Sequence, residues 1–189
     1  MDSMENMVVF DLIERMAALL RSEERRKCTE LGLQPVHLQI LDYLSRCNRY
    51  SDTPAALTNY LGMTRGTVSQ TLLLLMNKGF ISKTVDVMDR RVIHLSLLED
   101  GKIVLQKARS SDLFNQAAIL LKENNVDAYK DIFADALTSL QKANNSQSFG
   151  LCKTCRYFTK FSEGFICGLT QEPLSENDSE RICQEHSVA

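Results

Sequence analysis

Apolar residues recur at helical steps through most of the chain and give way to β-type runs in one short stretch. Met7, Phe10, Ile13, Met16, Ala17 and Leu20 are separated by Asp11, Glu14, Arg15 and Arg21, which predicts an amphipathic helix from about residue 4 to about residue 27. Leu31-Gly32-Leu33 interrupts it, and Pro35 suits the first turn of a second helix carrying Val36, Leu38, Ile40, Leu41 and Leu44. After a polar turn, Pro54 to Leu61 forms a short third helix with Thr53 as its N-cap. Gly62-Met63 turns the chain. Thr64 then caps a fourth helix with Val68, Leu72, Leu75 and Met76 on one face, and Gly79 ends it. The Leu-rich C-terminal half of that helix is expected to face the core.

Two β-rich runs, 80–87 and 92–97, flank the polar tip Met88-Asp89-Arg90-Arg91 and predict a hairpin. Helices follow over 98–110 and 113–143, the latter with a break near Asn124-Asn125. A polar linker over 144–148 precedes a change of composition. The expected organisation is an N-terminal helix (1–30), a central unit of short helices and a hairpin (31–100), C-terminal helices (101–145) and a cysteine-rich tail (150–189). The fold class is mainly α with a small β-hairpin wing, an α+β winged helix-turn-helix.

Charge sharpens this picture. The net charge is −2, which alone argues against nucleic acid, yet residues 61–94 hold five basic and two acidic side chains. The one basic window coincides with the fourth helix and the hairpin. A helix fits the major groove of B-DNA and presents its N-terminal side chains to base edges. That half of the helix offers Thr64, Arg65, Thr67, Ser69 and Gln70. Arg65 suits a bidentate pair with guanine and Gln70 one with adenine, while the small hydroxyls reach phosphate. Arg90 and Arg91 at the hairpin tip are placed to enter an adjacent minor groove, with Asp89 orienting one guanidinium. Gly66 within the helix costs ~1 kcal/mol of helix propensity. It marks a close backbone approach to DNA or a loose helix start.

The run Leu33-Gln34-Pro35-Val36-His37-Leu38-Gln39-Ile40-Leu41 resembles the MarR family of bacterial transcription regulators. So do Leu57-Thr58-Asn59-Tyr60-Leu61-Gly62-Met63-Thr64-Arg65-Gly66-Thr67-Val68-Ser69-Gln70, Lys78-Gly79-Phe80-Ile81 and Asp89-Arg90-Arg91. The resemblance spans roughly residues 8–143 and departs at Thr58, where the family usually carries alanine. It implies an obligate homodimer, built from the first and last helices, that binds pseudo-palindromic operators in double-stranded DNA. Thr64, Arg65, Thr67, Ser69 and Gln70 would then read DNA and Arg90 and Arg91 would form the wing. The helical pattern agrees, because the N-terminal and C-terminal helices carry more apolar surface than one small winged domain needs. No apolar run approaches the ~20 residues that span a bilayer. A cytoplasmic, nucleoid-associated, non-enzymatic regulator without membrane partners is expected.

The tail lies outside that resemblance. Cys152, Cys155, Cys167 and Cys183 give the spacing C-x2-C-x11-C-x15-C among Tyr157, Phe158, Phe161 and Phe165. About forty residues rarely sustain a core without a staple. Four thiolates around a metal supply one, worth ~10 kcal/mol or more in such modules. In an intracellular protein, four cysteines favour metal over disulfides. Zinc and an iron–sulfur cluster both remain open, since the second pair is dispersed, and redox-active or free thiols are the third option. Cys28 and Cys47 read as packing or surface residues, His37 and His94 as ordinary helix and strand positions, and His186, three after Cys183, either replaces a thiolate or is an idle terminal surface residue.

Three functions follow from these residues. In the first, a regulator expected to repress senses redox or metal status through the tail. In the second, the metal is structural and a small phenolic or lipophilic effector releases DNA. The third, from another class, is a thiol enzyme using Cys183 and His186; no phosphate loop or paired carboxylates accompany them.

Overall fold

The structure is a computed structural model that describes residues 2–110, 112–122, 126–143, 148–162 and 164–188. Helix α1 (Asp2–Leu31) runs about one turn beyond its expected end near residue 27, and its last turns carry the charged stretch Glu23 to Lys27. Arg26 pairs there with Glu23 and Glu30 at three- and four-residue spacing. Gly32 then reverses the chain at φ 64°, a left-handed conformation that glycine adopts without steric cost. Pro35 opens α2 (Pro35–Arg46) as expected. His37 serves its start: the Gln34 backbone N–H donates to His37 Nδ1 at 3.2 Å.

Both caps read from the sequence are present. Thr53 accepts from the Ala56 N–H at the start of α3 (Pro54–Leu61), and Thr64 accepts from the Thr67 N–H at the start of α4 (Arg65–Asn77). Strands β1 (Ile81–Val85) and β2 (Ile93–Leu97) form an antiparallel hairpin with Ile81 opposite Leu97 and Val85 opposite Ile93. The core lies where α2, α3, α4 and this hairpin meet. Ile40, Leu41, Tyr43, Leu57, Val68, Leu75 and Ile81 are essentially inaccessible there. Helix α5 (Glu99–Arg109) closes the unit, with Arg109 donating to Asp42 of α2 at 3.2 Å. Gly101 is required at the start of α5, because a Cβ there would stand 2.3 Å from the Phe80 carbonyl oxygen.

Helices α6 (Asp112–Lys122) and α7 (Val126–Ala143) complete the helical part; the break expected near Asn124-Asn125 falls outside the described residues. Their apolar faces are open, as is that of α1. Leu12, Leu19, Ile119, Ile132, Phe133 and Leu137 are each about half exposed or more. None of these helices buries its whole stripe within one chain.

The tail is a small ordered unit. A single 3₁₀ turn (Cys152–Thr154) leads to β3 (Phe158–Phe161), β4 (Gly164–Cys167) and β5 (Pro173–Leu174), an antiparallel sheet, and then to α8 (Glu176–Ser179). Cys152, Leu174 and Cys183 form its buried centre, with Phe158, Phe165 and Cys167 packed against them. Phe149, at the entry, packs edge-on against Tyr43 and Tyr60 of the main core, and Tyr43 and Tyr60 lie 4.6 Å apart. Among the described residues, no helix is long and apolar enough to cross a membrane.

Candidate nucleic-acid interface and the cysteine unit behind it

The fourth helix is held from beneath and open above. Val68, Thr71, Leu72 and Leu75 are buried, while Thr64, Arg65, Thr67, Ser69 and Gln70 are all exposed. This follows from helical geometry: positions 68, 72 and 75 share a face, 67, 69 and 70 lie off it, and Arg65 is exposed because it is the first residue of the helix. The Leu-rich half departs from expectation. Leu72 and Leu75 enter the core, but Leu73 and Leu74 are 56% and 39% exposed, because four consecutive helical residues cannot share one face. Gly66 has ordinary helical φ, and a Cβ added there would meet only Thr64 Oγ1 at 3.9 Å, so packing within the chain does not require glycine.

At the hairpin tip, Asp86 accepts from the backbone N–H groups of Met88 and Asp89 at 2.7 Å each. These bonds hold its carboxyl below the usual range, with His94 adding to the effect. Asp89 takes a two-pronged ion pair from Arg91, Nε–Oδ1 3.0 Å and Nη2–Oδ2 2.9 Å. Arg90 is exposed and makes no ion pair among the described residues. The structure therefore fixes one guanidinium against the turn and leaves the other reaching outward. Arg65, Ser69 and Lys83 line a groove between α4 and the hairpin.

His94, which the sequence reading set aside, joins the hairpin to the rest of the molecule. Its Nδ1 stands 2.6 Å from Asp52 Oδ1 and its Nε2 3.2 Å from Asp86 Oδ2. Two carboxylates facing the two ring nitrogens favour the doubly protonated ring. The Asp52 hydrogen bond is the main cause of a His94 pKa raised above the ordinary 6.5, against an opposing effect of burial. Burial in turn pushes Asp52 upward. The Leu95 N–H also donates to the Asp52 carbonyl at 2.8 Å, so residue 52 holds the second strand twice.

The tail docks on the connection between α2 and α3. The Asn48 N–H donates to the Ile182 carbonyl, the Ile182 N–H to the Arg46 carbonyl, and the Arg181 guanidinium to the carbonyls of Ser45 and Cys47. Tyr50 and Arg49 both donate to the Pro173 carbonyl. All six cysteines are free thiols. Cys28 and Cys47 are buried packing residues, the latter pushed up to about 12 by burial.

Cys152, Cys167 and Cys183 line a common cavity at this junction. The proximity of Cys183, together with burial, pushes the Cys152 thiol up, while Cys183 is lowered, chiefly by Cys152. The Ser187 N–H donates to Cys155 Sγ at 3.4 Å. Among the described residues, no group of three or more His, Cys, Asp or Glu side chains is already arranged to hold a metal ion.

His186 is no loose terminal residue. Its Nδ1 meets Ser148 Oγ at 2.5 Å and its Nε2 meets Thr154 Oγ1 at 2.9 Å, and a Cβ at Gly150 would press on its ring at 2.5 Å. Both nitrogens face hydroxyls rather than Cys183, so the nucleophile–base pair of the thiol-enzyme reading is not assembled.

The model of the MarR family matches residues 31–92. Among solved structures, the chain is similar to a MepR–DNA complex from S. aureus (20% identity, TM-score 0.53, 69% of this chain and 95% of that one). It is also similar to the transcriptional regulator BldR from Sulfolobus solfataricus (21%, 0.56, 71% and 96%). A third is CouR from Rhodococcus jostii bound to p-coumaroyl-CoA (16%, 0.55, 70% and 90%). At these identities the likeness speaks to fold. No curated protein matches the chain.

Proposed function

We propose that this chain, whose residues 31–92 match the model of the MarR family, is a regulator of that family that binds a pseudo-palindromic operator in duplex DNA as a homodimer and represses transcription. One observation carries this reading: five polar side chains, Thr64, Arg65, Thr67, Ser69 and Gln70, stand exposed on the N-terminal half of a helix whose opposite face is anchored in the core. In this reading α4 enters the major groove, Arg65 and Gln70 take base edges, and Thr64, Thr67 and Ser69 take phosphates. Arg90 enters the neighbouring minor groove and Arg91 braces the wing through Asp89. The open faces of α1, α6 and α7 are the dimer interface, and two copies of α4 then address successive turns of DNA.

The cysteine unit is proposed as the sensing part, a zinc or iron–sulfur site made by Cys152, Cys155, Cys167 and Cys183. Its support is the chemistry of the donor set and one orphan. Asn48 is 1% exposed, and its Nδ2 has no partner in good hydrogen-bond geometry among the described residues, yet it lies beside Cys183, whose anionic form it favours. A buried donor of that kind is satisfied by the electron-rich sulfur of a metal-bound thiolate. A bound metal would supply the staple that so small a sheet lacks. The second reading, an effector-responsive regulator with a structural metal, is supported by a cavity of about 460 Å³ between α1, α2 and α5, lined by Leu20, Lys27, Leu38, Asp42 and Arg109.

The test is selection of duplexes from a random-sequence library, followed by fluorescence anisotropy at two salt concentrations. Enrichment of an inverted repeat, with affinity falling steeply as salt rises, supports the proposal. Failure to enrich any sequence overturns it.

A further inference from the structure

Cys183 sits where the tail meets the DNA-binding unit, because its two neighbours bond to the turn between α2 and α3: the Asn48 N–H donates to the Ile182 carbonyl and the Gln184 N–H to Ser51 Oγ. Asn48 is buried there with its side-chain Nδ2 without a partner among the described residues. Ser51 is fully buried and accepts from the Gln184 N–H at 2.9 Å. A cavity of about 200 Å³ lies at this seam, lined by Asn48, Ser51, Cys152, Cys167 and Cys183. The same turn is pinned on its other side. Tyr43 OH donates to the Ser51 carbonyl at 2.8 Å, and Asp52, the next residue, grips His94 of β2 at 2.6 Å. His94 grips Asp86, and Asp86 holds the backbone of Met88 and Asp89 under the wing tip. A series of bonds thus runs from Gln184, next to Cys183, through the 48–52 turn to the base of Arg90 and Arg91.

We infer that the cysteine site is a composite, in which Asn48 and Ser51 of the DNA-binding unit donate to the Cys183 sulfur of a thiolate-bound metal or cluster, and that filling the site sets the wing through Asp52, His94 and Asp86. The inference rests on the reading of the four cysteines as a metal site. Its ligand class is a thiophilic cation or cluster that takes four thiolates, zinc and iron–sulfur sharing that requirement. Donors to a ligating sulfur fix its orientation, and their loss typically costs ten- to a hundredfold in metal affinity. Emptying the site removes the charge that Asn48 and Ser51 satisfy, so the 48–52 turn repacks. Because Asp52 belongs to that turn, the bond to His94 is the first to feel it.

The experiment uses the full chain, isolated anaerobically, with zinc, iron and sulfide measured per chain. Operator affinity is read by anisotropy on a duplex enriched from the random library, before and after stripping with chelator under reductant and after reloading with zinc alone or with iron and sulfide. The expected result is a change of at least about tenfold on stripping, reversed by the reloading that matches the element found. His94→Gln should keep its metal but lose that difference, binding DNA within about twofold whether loaded or stripped. Asn48→Leu should lower metal retention without altering the fold seen by circular dichroism. If metal is held, yet stripping leaves the wild-type affinity unchanged or His94→Gln retains the full difference, the coupling is overturned and the metal site stands. If no zinc or iron is retained, the site itself is overturned, and the coupling with it.

Discussion

Asp52 and His94, 42 positions apart in sequence, meet at 2.6 Å and tie the turn before the third helix to the second strand of the wing. The contact is charge-assisted when His94 is protonated. Its hydrogen-bond partners raise the His94 pKa above 6.5, so its contribution to stability is fully present below 6.5 and is lost as pH rises through the raised value. Asp52 starts from 3.8, and although burial raises it, its own change belongs to more acid solution. The melting temperature of the wild type should therefore exceed that of His94→Gln most at about pH 6, and the gap should narrow toward about pH 8.5. A gap that stays constant across that range would show that His94 acts only by packing.

The two wing arginines should separate. Arg90 is unpaired among the described residues, so Arg90→Ala should weaken binding to all duplexes and lower the slope of log affinity against log salt by about one. Arg91→Ala frees Asp89 and should act on the shape of the tip more than on the salt slope. Arg65→Ala should cost roughly 1–3 kcal/mol and relax preference at one base pair of each half-site. Anisotropy on the selected duplex and its single-base variants distinguishes these outcomes.

Gly66→Ala offers a test of how near the fourth helix comes to DNA. Nothing in the chain crowds a Cβ there, so the protein should gain up to ~1 kcal/mol of stability in urea titration. If the backbone lies against phosphate at Gly66, the same variant should bind DNA at least about tenfold more weakly while being the more stable protein, since one clash costs more than ~1.4 kcal/mol. Stability and affinity rising together would place the helix start away from the backbone of the duplex.

Ile132 is 63% exposed and Leu12 60% exposed, each on a helix whose apolar stripe is open. Leu12→Glu and Ile132→Glu should convert a dimer to a monomer in sedimentation equilibrium and abolish operator binding with little loss of helicity. A wild-type chain that sediments as a monomer at micromolar concentration would remove this interface from the account.

How much of this was visible in the sequence differs by residue. Thr53 and Thr64 declared their caps because an N-cap is a local event, decided within three residues. Val68, Leu72 and Leu75 declared the buried face of α4, whereas the unbroken run through Leu73 and Leu74 concealed that two of its members face outward. The cysteine spacing suggested the metal site proposed above. Its neighbours were hidden, since Asn48 and Ser51 meet Cys183 only after the chain has returned across more than 130 positions. His94 looked ordinary for the same reason: its meaning depends on two carboxylates, and only Asp86 lies on its own hairpin.

Phe149 carries a practical consequence. It sits at φ 40°, a conformation uncommon for a bulky side chain, and its ring closes the aromatic cluster with Tyr43 and Tyr60. The last segment of the chain is thus plugged into the main body at its first residues as well as along its length. Cutting the polypeptide before Phe149 would uncork the interior beneath the helix-turn-helix rather than excise an accessory, and a shortened protein that lost DNA binding would say nothing about sensing. Point substitutions at the sulfur atoms, with Phe149 left in its socket, are the informative route.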